Sequence, residues 1–289
     1  MEQIQKEINR IDNYQQKHAI LAFPLAVWKK YSDDEAGNKA ALITYYGFLS
    51  LFPLLIVFLS VINMLIRNNA HLQQRFIAAA FKYFPILGNQ LQNNIHTVHK
   101  NGLSLTIGLV LLFIGTRGIA NALQHSMNHL WRVKRSEAPG FPYNIIRGIG
   151  IIIIGGGGFI VTAVMSSYVS GLGHYGFIAK ALLIVLSFVF NSFVFLAIFR
   201  LATAPQIRTA DLALGAVLSS LVWQILQIIG SYLILHEVKN FDNLYGTFAL
   251  VLGLLFWISI QAQATLYMVE ANIVRARKLS PMSLLQPPA

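Results

Sequence analysis

Long apolar runs alternate along this chain with short polar connections. A bilayer hydrocarbon core of about 30 Å needs about 20 apolar residues in a helix. Six segments meet that length: roughly Ala40–Ile66, Leu103–Gln124, Gly148–Tyr168, Ile178–Ile198, Leu212–Leu235 and Leu244–Met268. The pattern predicts an all-α integral membrane protein with six transmembrane helices. The connections after the second span are mostly short and force antiparallel neighbours. Residues 67–102 form a longer segment between the first two spans. Within it, "LQQRFIAAAFKYF" reads as an amphipathic helix ending at Pro85.

Two further stretches are helical without spanning. Ile4, Ile8 and Ile11 fall at helical spacing, and "HAILAFPLAVWKK" follows them. That second run is too short to cross a bilayer. Its Pro24, Trp28, Lys29 and Lys30 suit a helix at the membrane interface. The span from Leu103 continues through "GTRGIANALQHSMNHLWRV" to Trp131. At 1.5 Å per residue this is roughly 43 Å, so it projects beyond the bilayer. The expected organisation is residues 1–39 as cytoplasmic or interfacial helices, 40–268 as the membrane domain with 67–102 inserted, and 269–289 as a cytoplasmic tail.

Composition agrees with lipid as the solvent. Hydrophobic residues make up 55% of the chain and charged residues 11%, against about 25% charged in soluble domains. The net charge is +11, and its distribution is informative. Lys6, Arg10, Lys17, Lys29, Lys30 and Lys39 precede the first span. Arg117, Arg132, Lys134, Arg135 and Arg147 flank the second connection. Arg200 and Arg208 lie in the fourth connection, and Arg275, Arg277 and Lys278 in the tail. Fewer cations fall on the other side. The positive-inside rule therefore places both termini in the cytoplasm. The charge is topological, and no basic stripe with interleaved aromatics suggests a nucleic-acid partner. There are no cysteines, which excludes disulfides and thiolate chemistry. The polar first 17 residues predict no cleavable signal peptide.

Polar residues inside spans carry the candidate chemistry. Tyr46, Ser50, Pro53, Val57 and Ser60 share one face of the first span. Pro53 removes a backbone donor and is the expected bend. Asn191 with Ser187, then Gln224 and Gln227 with Ser220 and Ser231, form stripes in the fourth and fifth spans. Trp257, Gln261 and Thr265 do so in the sixth. Such stripes are either hydrogen-bonding glue between helices or the lining of a polar cavity. The candidate substrate pathway is Tyr46, Ser50, Pro53, Asn191, Gln224, Gln227, Trp257 and Gln261. Arg117, Asn128, Asp211 and Glu270 are the candidates for a polar cluster at the inner interface. No Asp or Glu falls mid-span, which argues against strong proton coupling. The "GGGG" at Gly155–Gly158 permits close helix approach or a flexible point. His125 and His129 stand at i, i+4 without the glutamate of a zinc-protease motif. No metal site, cofactor or catalytic set is expected.

Four stretches in order resemble the YihY/BrkB family of multi-pass bacterial membrane proteins. They are "DEAGNKAALITYYGFLSLFPLLIVFLSV", "GIANALQHSMNHLWRV", "APQIRTADLALGAVLSSLVWQ" and "LYGTFALVLGLLFWISIQAQATLYMVEAN". Met-Val precedes Glu270 where the family commonly has a glycine. The resemblance implies a bacterial plasma-membrane protein of mostly six spans and a transport or envelope-lipid role. The family has also carried a ribonuclease BN label, and the residues here offer no metal-dependent nuclease motif. The reading is a transporter or exporter of an amphipathic or lipid-linked envelope substrate, not an enzyme. The alternative is a membrane scaffold for envelope or secretion partners. Expected partners are membrane lipids, a lipid or amphipathic substrate, and a membrane-protein partner or a second copy.

Overall fold

The computed structural model describes residues 19–65, 102–171, 177–236 and 238–283. All regular structure among them is α-helical. The helices are α1 (Ala19–Asp33), α2 (Ala36–Leu65), α3 (Gly102–Leu130), α4 (Tyr143–Gly171), α5 (Phe177–Ala202), α6 (Thr209–His236) and α7 (Val238–Ala276). The outer segment and the isoleucine-spaced N-terminal stretch lie outside the described residues. The long helix expected from Leu103 to Trp131 is α3. Stretches of four helices are long and apolar enough to cross a membrane: Tyr143–Thr162, Ala181–Ala202, Thr209–Ile229 and Val251–Ala276. They match the last four expected spans. The first two expected spans fall in α2 and α3.

The chain divides into two compact units. The first comprises Met1–Leu42, Ala120–Val222 and Ala262–Ala289. The second comprises Ile43–Ile119 and Trp223–Gln261.

In the first unit, α4 and α5 pair antiparallel along a seam of small residues. A Cβ placed on Gly150 would stand 3.0 Å from the Leu201 side chain, and one on Gly158 would stand 2.8 Å from Val194. Farther along, Thr162 Oγ1 and Asn191 Oδ1 are 2.8 Å apart. Ser187 meets the Met165 sulfur at 3.9 Å. Residue number rises on one helix as it falls on the other, which fixes the register. Glycine is needed at Gly158 because any larger residue would displace a stiff β-branched neighbour. The middle of the glycine run behaves differently, since a Cβ at Gly156 or Gly157 would meet nothing within 4 Å among the described residues.

The C-terminal end of α5 is closed by side chains from other elements. Asn128 of α3 donates to the Ala202 carbonyl at 3.4 Å and accepts from the Ala204 amide at 2.9 Å. Arg147 of α4 donates to the Thr203 carbonyl at 2.9 Å. Arg200 donates to the Ile207 carbonyl at 2.7 Å. The last carbonyls of a helix lack partners within it, and cations there also favour the helix dipole. Arg147, assigned from sequence to topology, therefore also caps a helix, while Arg200 braces the loop that follows it.

Residues Ile43–Ile119 carry a second glycine seam, between α2 and α3. A Cβ on Gly115 would stand 3.0 Å from the Ser50 Cβ, and one on Gly118 would overlap the Tyr46 ring. Gly115 and Gly118 are one turn apart, so one face of α3 receives the Tyr46–Ser50 face of α2.

Candidate functional site

The first unit buries a group of charges where α1 meets the C-terminal part of α7. Helix α1 is amphipathic. Ala22, Ala26, Val27 and Tyr31 face inward, while Leu21 and Trp28 are exposed. Ala26 and Val27 pack with Ala271 and Val274 of α7, flanked by Phe23, Leu218, Tyr267, Leu279 and Met282. Tyr31 and Tyr267 stack with centroids 3.7 Å apart and planes inclined by 2°. Burial beside Tyr267 and Glu270 pushes the Tyr31 hydroxyl up to about 12, so it stays protonated.

A corner of two residues joins α1 to α2. Glu35 takes a left-handed conformation with φ of 50°, which costs a non-glycine residue about 1 kcal/mol. The Lys39 ammonium donates to the Asp34 carbonyl at 3.1 Å and holds the corner. The corner places Asp34 back over α1. Lys30 and Asp34 pair across one helical turn, their side chains 5% and 6% exposed. A lysine N-terminal to its acid is the weaker order in an isolated helix. Tertiary burial, not helix propensity, gives the pair its strength.

Two more groups join. The Lys30 ammonium lies 3.6 Å from Glu270 Oε2, and Glu270 is 0% exposed. Arg132, in the turn after α3, reaches Asp34 Oδ1 at 3.3 Å and remains 45% exposed. Among the described residues, neither Glu270 oxygen has a hydrogen-bond partner. Lys29 and Asp33 make a parallel pair at 3.0 Å. Next along α7, buried Asn272 accepts a hydrogen bond from the Gly215 amide of α6. Arg277 donates to the Trp131 carbonyl, tying the end of α7 to the turn that carries Arg132. His129 is held below its ordinary range, first by burial and then by Lys39, with Asp34 opposing.

The residues singled out from sequence separate into several places. Of the inner-interface candidates, Glu270 lies in this cluster and Asn128 caps α5. Asp211 stands in the first turn of α6, where an acid favours the helix dipole. Arg117 is exposed on α3. Of the pathway candidates, Asn191 is engaged with Thr162. Ser50 donates to the Gly47 carbonyl at 2.9 Å, and Tyr46 fills the Gly118 face. Gln224, Gln227, Trp257 and Gln261 are half-buried. Pro53 lies in α2 among residues whose side chains are outside the description. Sequence reasoning missed Lys30, Asp34 and Arg132. The available signal was the doubled i, i+4 pairing in "KKYSDD".

Comparison with known proteins bears on these segments. The profile of the family described as Virulence factor BrkB matches residues 27–288. The chain belongs to the BrkB family. A "UPF0761 membrane protein" of Alcanivorax borkumensis is 25% identical over 272 residues, covering 90% of this chain and 61% of that protein. A protein of the same description from Aeromonas salmonicida is 22% identical over 272 residues, covering 90% of this chain and 91% of its own. One from Vibrio campbellii is 22% identical over 253 residues, covering 82% and 77%. No solved structure matches. In this BrkB-family chain the cluster gathers residues from three of the segments that carry the resemblance. Asp34 opens "DEAGNK", Arg132 stands in "HLWRV", and Glu270 stands in "MVEAN". Segments far apart in the chain thus each deliver one charge to the same place.

Proposed function

We propose that this BrkB-family protein is a six-span plasma-membrane transporter, with both termini in the cytoplasm, that moves an amphipathic or lipid-linked envelope substrate without chemical catalysis. One observation carries the reading. Two carboxylates and an ammonium are buried against the end of a helix apolar enough to span a membrane. Buried ion pairs seldom stabilise more than well-packed apolar residues would. Ionisable groups held inside membrane bundles usually mark substrate paths, ion paths or gates. Here the charges join the amphipathic helix α1 to the C-terminal end of α7, the arrangement of a gate at the membrane surface. The half-buried Gln224, Gln227, Trp257 and Gln261 are the proposed polar lining of the path.

The test is reconstitution into phospholipid vesicles with a fluorescent phospholipid or a lipid-linked sugar as probe. Protein-containing vesicles should move one of the probes across the bilayer at least about tenfold faster than protein-free vesicles, a difference of about 1.4 kcal/mol in barrier. Asp34→Asn should abolish the difference. Equal rates with and without protein for zwitterionic, anionic and lipid-linked probes would reject transport. A partner protein recovered by crosslinking at one copy per chain would then favour the scaffold.

A further inference from the structure

Asp34 and Glu270 are not equivalent. Asp34 takes both cations, with the Lys30 ammonium in tight contact and the Arg132 guanidinium at 3.3 Å. Glu270 is more deeply buried, yet it has only the shared ammonium at 3.6 Å and no hydrogen bond to either oxygen. The fully buried part of the cluster holds one ammonium and two carboxyl groups. The second cation, Arg132, is half in solvent and sits on the other carboxylate. An ionised carboxylate with neither a full counter-charge nor hydrogen bonds is costly at such a site. When two carboxylates share one site, one of them keeps a proton.

Among the described residues, the groups facing Glu270 are few. Lys30 and Tyr31 come from α1, Asp34 from its corner and Arg132 from the turn after α3. Tyr267 precedes it by one turn on α7. Helix α6 meets this stretch through Gly215 and Leu218, which carry no charge. His129 interacts with Asp34, Arg132 and Lys39 around the edge of the cluster. None of these supplies Glu270 with a cation of its own.

We propose that Glu270 is a proton-binding site, occupied while Lys30 is locked to Asp34 and emptied when Lys30 is handed over to Glu270. On release, the carboxyl O–H bond breaks, the proton passes to water, and Arg132 alone remains to neutralise Asp34. Lys30, Asp34 and the tyrosine stack all belong to the α1 corner. Undocking α1 from α7 would open buried Glu270 to water and let it ionise, so the docked state holds the extra proton. Proton occupancy and the docking of α1 become one equilibrium. This goes beyond the transport reading and stands whether or not a lipid is moved.

The chain has no cysteine, so one introduced cysteine gives an unambiguous label on the full-length protein in nanodiscs. Infrared spectroscopy at neutral pH should show the carbonyl band of a protonated carboxylic acid. Glu270→Gln should lose it, Asp34→Asn should lose it by freeing the Lys30 ammonium for Glu270, and Asp33→Asn, whose partner is Lys29, should keep it. Val27→Cys reports docking, because Val27 is buried against α7. Its labelling rate, divided by that of exposed Trp28→Cys, should rise with pH by up to about tenfold per unit, as one exchanged proton requires. Glu270→Gln should flatten that profile. Arg132→Gln, at a half-exposed position, should move its midpoint to higher pH. An acid band that survives Glu270→Gln would overturn the proposal. So would a pH-independent Val27 ratio in the native protein, or an unmoved midpoint in Arg132→Gln.

Discussion

Two regions of the first unit both join helices, yet they are built on opposite principles. The α4–α5 seam is closed by absence: glycines at Gly150 and Gly158 let Leu201 and Val194 come close. The α1–α7 junction is closed by charge. The seam wastes nothing, because van der Waals packing is the ordinary means of helix association in lipid. The junction spends desolvation energy that apolar residues would not require. Its cost is the reason to read it as a working part, and the seam as a frame.

The contrast can be broken in order of expected effect. Lys30→Met strips the cluster of its buried ammonium, leaving Asp34 only the half-exposed Arg132, and should cost about 3–5 kcal/mol, measured as thermal unfolding of detergent-solubilised protein. Glu270→Gln at the same junction should be close to neutral, because a neutral amide takes the place of a protonated carboxyl of the same shape while Lys30 stays on Asp34. If the two variants destabilise equally, the cluster is an ordinary ion pair and the contrast fails.

Overfilling a glycine contact should cost about 1–3 kcal/mol. Gly158→Leu tests the seam, and a second change, Val194→Ala, should recover part of the loss. Gly215→Val tests the α6–α7 approach, where a Cβ would overlap Asn272 and the Met268 carbonyl. A backbone carbonyl cannot step aside as a side chain can, so this loss should resist a compensating mutation.

Gly156→Ala and Gly157→Ala should each stabilise α4 by about 0.5–1 kcal/mol through helix propensity alone, since the added methyl meets nothing. A loss there would show that the run is a hinge which α4 needs. The smallest effect concerns His129, whose folded form holds its proton less tightly than the ordinary 6.5. The unfolded chain takes that proton first. The stability His129 contributes is therefore present above pH 6.5 and lost as pH falls below it. His129→Gln should slightly flatten the acid limb of the thermal midpoint against pH.

Helix content was legible because apolar length and 3.6-residue spacing are local properties. The run from Leu103 to Trp131 and the apolar stretches of α4 to α7 could be read from sequence for that reason. The face of α2 that carries Tyr46 was legible too. One residue turns a helix by about 100°, and Tyr45 is 58% exposed while Tyr46 packs on Gly118. The glycine run was only partly legible, since sequence cannot say which of four adjacent glycines faces a neighbour. Asn128, Arg147 and Arg200 read as interface charges or polar residues. Only packed helices show that Asn128 and Arg147 cap α5 and that Arg200 holds the loop after it.

The sequence by itself determined the solvent, the helices and the family, because each depends on composition or on order along the chain. Tertiary structure alone decided which charges are buried. Lys30 and Asp34 sit in a polar stretch that any reading of hydropathy assigns to water. Docking α1 on α7 removes that water and brings Glu270, 236 residues after Asp34, to the same ammonium. Whether a charge is solvated or paired is a property of its surroundings in space, and those surroundings come from segments distant in the chain.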